Sequence, residues 1–185
     1  MNELKHSNFF HGYYNKIRLM FSDESIFGRI TNIRGCWCPL GMRPNVSSLK
    51  IREYIYTFGA IDPIYGNSSF IIAGDCNTAW TNVFLDTLSK QFPDDYILLC
   101  EDRASWHKSK DLIIPDNIEI FFIPPATPEM NPIEQIWNEI KQKEFNNRFF
   151  DTLEKVIDQL CISTNSLSKK IVKSITGRDW ISSIA

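Results

Sequence analysis

Two short apolar runs set the tightest limit on what this chain can become: residues 96–100 (YILLC) and 118–123 (IEIFFI). Both are short for a helix, and both are richer in apolar residues than a strand with one wet face would be. They read as buried central strands, which require cover on both faces of a sheet. The segment ahead of the first run offers that cover. Residues 78–92 place Trp80, Phe84, Leu85 and Leu88 at intervals of three and four, the spacing of an amphipathic helix. Behind the second run, a proline-rich loop (PPATPEMNP) leads into a helix over 132–145. Ile133, Ile136, Trp137 and Ile140 share one of its faces. A last helix is expected over about 153–160.

Upstream, residues 17–23 (IRLMFSD) read as a strand ending at Asp23. Residues 27–38 and 50–60 read as further strands, joined through a loop marked by Gly41, Pro44 and Asn45. Residues 69–73 form another short strand. Antiparallel strands first, then helix–strand–strand–helix, predict an α/β fold: a mixed five-stranded sheet with helices on both faces. A chain of 185 residues, 43% of them hydrophobic, has enough core for one such domain. The expected divisions are an N-terminal extension (1–16), the main domain (17–163) and a helical tail packed on it (164–185).

Several classes are disfavoured. The apolar runs are too short to span a bilayer, and no apolar signal-peptide core follows the N-terminal charges. The expected location is cytoplasmic. Five cysteines, an odd number, argue against a disulfide framework. Cys36-Trp37-Cys38 lacks the second pair that a structural zinc site needs, so the cysteines read as buried or edge thiols. A net charge of −2 argues mildly against nucleic acid. Its distribution does not. Residues 25–52 carry Arg29, Arg34, Arg43, Lys50 and Arg52 without an acid, and residues 103–110 carry Arg103, Lys108 and Lys110 without one. Either stretch suits a phosphate backbone or a solvated loop.

Three acids stand where chemistry could use them. Asp23 closes the first expected strand, Asp102 lies just past YILLC, and Glu134 lies in the first turn of the helix after the last strand. Ligands of open α/β sheets bind outside strand carboxyl ends. Converging carboxylates repel one another unless a cation neutralises them, and hard divalent ions with oxygen ligands fit that need. Two such ions serve phosphodiester cleavage by activating water and stabilising the leaving oxygen. Spacing alone also allows turn roles for Asp23 and Asp102. It allows a capping box for Glu134, with Asn131 as N-cap and Pro132 at the first helical position.

The words around these acids narrow the choice. FSDESIFG, followed by Trp37 and GMRP, resembles the first catalytic block of DDE transposases of the mariner superfamily. EDRASWHKSKDLIIP resembles their second block, and PPATPEMNPIEQIWNEIKQKEFNNRFF their third. REYIYTFGAIDP is similar to the bacterial insertion-sequence branch, and the match continues into SITGRDWI near the end. The resemblance assigns the catalytic and metal-binding carboxylates to Asp23, Asp102 and Glu134. It implies a ribonuclease H-like fold, two Mg²⁺ ions with Mn²⁺ as substitute, strand cleavage at transposon ends and transfer of the freed 3′-hydroxyl into target DNA. The expected partners are DNA and a second copy in the DNA complex. Arg29, Arg43, Arg103, His107 and Lys108 are the expected DNA contacts.

The chain departs from the family in two places. Ala126-Thr127 stand where Tyr-Ser is usual. Fewer than 20 residues precede the first expected strand, where relatives carry a helix-turn-helix region. A separate chain from a first reading frame is one expected source of that region. The alternatives are an inactive DNA- or partner-binding remnant of a transposase and a ribonuclease H-like repair nuclease.

Overall fold

The first strand is the axis of the sheet. In the computed structural model, which describes residues 14–102, 109–124 and 127–182, β1 runs Lys16–Gly28. Successive side chains of a strand point to opposite faces. Phe21 and Phe27 accordingly join one apolar cluster and Met20 the other. β2 (Tyr54–Ile61) pairs antiparallel with β1, and β3 (Ser68–Ala73) antiparallel with β2. On the far side β4 (Asp95–Glu101) pairs parallel with β1, and β5 (Ile118–Phe122) parallel with β4. The order is β3-β2-β1-β4-β5, a mixed five-stranded sheet as expected.

Helices cover both faces. α1 (Thr78–Gln91) lays Phe84, Leu85 and Leu88 onto Met20, Phe58, Ala60, Ile97 and Leu99. Its first turn is closed by Asn77, whose side chain accepts from the Trp80 N–H at 3.1 Å. The opposite face carries α2 (Ile133–Ile140), α3 (Leu153–Asn165), α4 (Lys169–Thr176) and α5 (Asp179–Ser182). Ile133, Ile136, Leu160, Val172 and Ile181 from these helices close over Phe21, Phe27 and Ile55.

The structure corrects several sequence expectations. β1 does not stop at Asp23; it continues to Gly28 because β2 keeps pairing with it as far as Tyr54. Residues 29–53 hold no strand beyond an isolated bridge between Asn32 and Asn146. That excursion is tied down by polar contacts instead. Asn147, at a φ of 58°, donates from its side chain to the Arg34 carbonyl at 3.0 Å and accepts from the Arg34 N–H at 2.8 Å. β5 is an edge strand rather than a central one, leaving Phe121 41% and Phe122 38% exposed. The helix expected over 132–145 is α-helical only to Ile140 and then widens into a π-helical segment, Lys141–Phe145. α3 runs five residues past the expected 160, to Asn165. The cysteines are free, but Cys36, Cys38 and Cys161 are exposed rather than buried. Among the described residues, no helix is long and apolar enough to cross a membrane.

Candidate active site

Strand register brings two of the three expected carboxylates together. In the parallel pairing of β1 with β4, Phe21 stands opposite Cys100. Asp23 and Asp102 each lie two positions beyond that pair, so they are side by side where β4 ends and β1 runs on. Residues 21, 23 and 27 share a strand face, which turns Asp23 towards α2.

α2 is fastened to β1 at this point. The Asn131 side chain donates to the Ser22 carbonyl at 2.9 Å. Six residues further on, the Trp137 indole N–H donates to Asp23 Oδ2 at 3.1 Å. A buried indole needs an acceptor, and here the acceptor is the carboxylate itself. The Trp137 ring is wedged between Phe27 and Phe70, with ring centres 6.2 and 5.7 Å away. Residues 131, 134 and 137 lie three apart, and helical residues at that spacing share a face. Glu134 is therefore carried between the two residues that touch β1.

The expected capping box is not formed. Pro132 occupies the N-cap position without a side-chain hydrogen bond, and Asn131 reaches across to β1 instead. The Asn131 Oδ1 is buried and has no hydrogen-bond partner among the described residues.

Burial and like charge set the electrostatics. The Asp23 carboxyl is pushed up to about 7, first by desolvation and then by the charge of Glu24, with Asp102 adding to the effect. The Glu24 backbone N–H and the Trp137 indole act in the opposite direction. Glu134 is also raised, by burial first and then by the charge of Glu129. Glu129 lies in the 3₁₀ turn Pro128–Met130, just ahead of α2. Among the described residues, no three His, Cys, Asp or Glu side chains form a cluster able to hold a metal ion. The structure brings Asp23 and Asp102 together and leaves Glu134 apart from them on the adjoining helix.

Two neighbours escaped sequence reasoning. Lys141 opens the π-helical segment, and its charge interacts with Asp23; burial lowers its pKa while Asp23 opposes that shift. Its ammonium lies 5.2 Å from the centre of the Phe27 ring. The available signal was spacing: Glu134, Trp137 and Lys141 recur at three and four. On the other face of the sheet, burial pushes the Cys76 thiol up to about 12, and the charges of Glu24, Asp75, Asp23 and Asp102 add to it. Such a thiol is a poor nucleophile.

The expected DNA contacts are placed unevenly. Arg29 donates to Glu53 at 2.6 Å, to the Phe150 carbonyl at 3.2 Å and to the Asp151 carbonyl. Its guanidinium holds the 29–53 excursion to the start of α3. Arg43 is exposed. Arg103, His107 and Lys108 lie outside the described residues.

A five-stranded mixed sheet covered on both faces, with Asp23 on its central strand abreast of Asp102 just past the end of β4, has the architecture of a ribonuclease H-like α/β domain. Residues 18–157 match the DDE superfamily endonucleases, and the chain belongs to that family. An uncharacterized protein of Sinorhizobium fredii, y4pE/y4sA, is 31% identical over 130 residues, which are 69% of this chain and 96% of that relative. Among solved structures, the Mos1 transposase paired-end complex with left transposon end is similar with a TM-score of 0.62 at 14% identity, over 94% of this chain and 54% of that one. The Mos1 strand transfer complex is similar with a TM-score of 0.62 at 15% identity, over 92% and 52%. At these identities the likeness is one of fold. The chain spans about half the length of the Mos1 chains it matches.

Proposed function

We propose that this chain is the catalytic domain of a transposase, cleaving DNA strands at transposon ends and joining them to target DNA with divalent metal ions. The observation that carries the reading is the register of β1 on β4. It sets Asp23 beside Asp102 and turns Asp23 towards the helix that bears Glu134. Family membership supports the same reading. Residues 17–163 form the proposed catalytic unit, with 164–185 as a helical tail.

The Asp23–Asp102 pair suits a hard cation, and Glu134 would have to join it to make three ligands. Asp23 is half-buried among like charges, which an ion would offset. The unpartnered Asn131 Oδ1 is an acceptor that an ion's water shell would satisfy. Asp23 and Asp102 would hold the metal jointly, and Glu134 would complete the set. Solved Mos1 complexes are described with Mn and with Mg, which supports Mg²⁺ with Mn²⁺ as substitute. Two such ions supply water activation and leaving-oxygen stabilisation in phosphodiester cleavage.

The chain's own residues prepare that centre. The Trp137 indole fixes the orientation of the Asp23 carboxylate. Asn131 holds the start of α2, and with it Glu134, against β1. Lys141 offsets part of the negative field. Proposed partners are DNA and a second copy of this chain in the DNA complex. Arg43, Arg103, His107 and Lys108 are the proposed phosphate contacts, with Arg29 acting through the loop it anchors.

The test is calorimetric titration of Mn²⁺ and Mg²⁺, with and without duplex DNA, into the wild type and into Asp23→Asn, Asp102→Asn and Glu134→Gln. Binding weakened at least tenfold by each substitution is expected, together with metal-dependent nicking that each one abolishes. Full cleavage by Asp102→Asn would overturn the assignment.

A further inference from the structure

The last twenty-five residues hold a basic surface that the carboxylate centre does not use. Between Asp158 and Asp179 the sequence has Lys169, Lys170, Lys173 and Arg178 and no acid. The first three lie on α4, whose Val172 and Thr176 are buried against the core while the three lysines stay exposed.

Other exposed lysines on helical segments are neutralised locally. Lys90 pairs with Asp86 at 2.7 Å, Lys143 with Glu139 at 2.5 Å and Lys155 with Asp151 at 2.7 Å. Among the described residues, the three α4 lysines have no ion pair. Helix energetics do not explain their position either. Lys169 and Lys170 stand in the first turn, where the helix dipole favours anions and disfavours cations. Ser168 caps the same turn by accepting from the Ile171 N–H at 3.4 Å. An anion docked there would meet the dipole and the ammonium groups together.

The surface is also rigidly mounted. Gly66, at a φ of 75° in the β2–β3 turn, lies against the Lys169 carbonyl, where a Cβ would collide with it. α4 also packs against α2, the helix that carries Glu134.

We propose that Lys169, Lys170 and Lys173 form a second DNA-binding surface that grips a duplex by its phosphate backbone without reading its sequence. Helical neighbours three and four residues apart have Cβ atoms about 5–6 Å apart. A duplex carries one charge per about 1.7 Å of its axis, so adjacent lysines meet adjacent phosphates. The identity of the polyanion rests on the DNA-cleaving role proposed above. The surface itself does not need that chemistry to operate.

Fluorescence anisotropy with a labelled duplex of arbitrary sequence, titrated with KCl, tests the assignment on the full chain. Replacing all three lysines by alanine weakens binding and lowers the slope of log affinity against log salt by about two to three units. For three contacts, the affinity lost between 50 and 200 mM salt then shrinks roughly forty-fold relative to wild type. The triple arginine variant keeps the wild-type slope. A charge-matched control, Lys90→Ala with Lys143→Ala and Lys155→Ala, keeps it as well, and circular dichroism checks that each variant folds. A slope equal to wild type in the α4 variant, or equal losses in variant and control, overturns the proposal. So does wild-type protein that binds anionic vesicles but not duplex. The two readings fail separately. Absent nicking with a lowered slope in the α4 variant removes the cleavage reading and leaves this surface; intact nicking with an unchanged slope does the reverse.

Discussion

Asp23 keeps its proton in the folded protein to about pH 7, against 3.8 for an ordinary aspartate. Between those values the folded state binds the extra proton, so stability falls as pH rises through that window and stays lower above it. The effect is on the order of 2–4 kcal/mol for a half-buried group. Asp23→Asn removes one ionisation, so its urea-unfolding stability should fall less steeply than that of the wild type from pH 4 to 8 and exceed it at pH 8; burial raises Glu134 and Asp62 as well, and they keep part of the slope. A slope equal to that of the wild type would mean that some other group titrates there. Divalent cation should raise the wild-type melting temperature at pH 8 and leave Asp23→Asn unchanged. Lys141 acts on the same carboxylate in the opposite sense, as a cation. Lys141→Met should therefore move the midpoint of the wild-type slope above pH 7, which the same unfolding series would read.

At the scale of elements, the contact between β2 and α2 is the tightest constraint on the centre. A Cβ on Gly59 would lie 2.7 Å from Trp137 Cη2 and 2.8 Å from Phe70 Cδ1. Gly59→Ala should cost roughly 1–3 kcal/mol by overpacking and displace the indole from Asp23. Tryptophan fluorescence and metal affinity should then change together; a stability loss without them would make Gly59 a packing position only. The elements easiest to read in the sequence were those with strong local patterns. α1 and the start of α2 stand out because Phe84 and Leu88, and Ile133, Ile136 and Ile140, recur at helical spacing, and β4 because YILLC is an unbroken apolar run. The end of β1 did not, because the polar segment SDES continues as a strand only through its pairing with β2, which is far away in sequence. The same limit applies to the centre. The juxtaposition of Asp23 and Asp102 was legible through the words around them, whereas Asn131 read as a helix cap because its partner, Ser22, lies 109 positions away. Trp137 read as core for a similar reason: its hydrogen bond spans 114 positions.

For the molecule as a whole, a buried ion network closes the end of the sheet away from the carboxylates. Arg18 on β1 bonds to Asp62 in the β2–β3 turn at 2.9 Å and to Asp95 at the start of β4 at 2.5 Å. Its guanidinium lies 4.2 Å from the centre of the Phe92 ring. Removing one member of such a network strands the others, so Arg18→Ala should cost about 3–5 kcal/mol. A loss below about 1 kcal/mol in urea unfolding would show that water reaches the two aspartates. The parallel pairing of β1 with β4 has a further consequence, for the order in which the protein is made. A ribosome releases β1, β2, β3 and α1 before β4 exists, so the antiparallel meander comes first, with one edge of β1 bare. Asp23 is then an ordinary carboxylate in water. Its chemistry is acquired late, when β4 closes that edge and α2 settles over it. Slow, long-range pairing of this kind exposes an unpaired strand to other nascent chains. The step that creates the carboxylate centre is therefore also the step at which a half-made copy is most prone to aggregate.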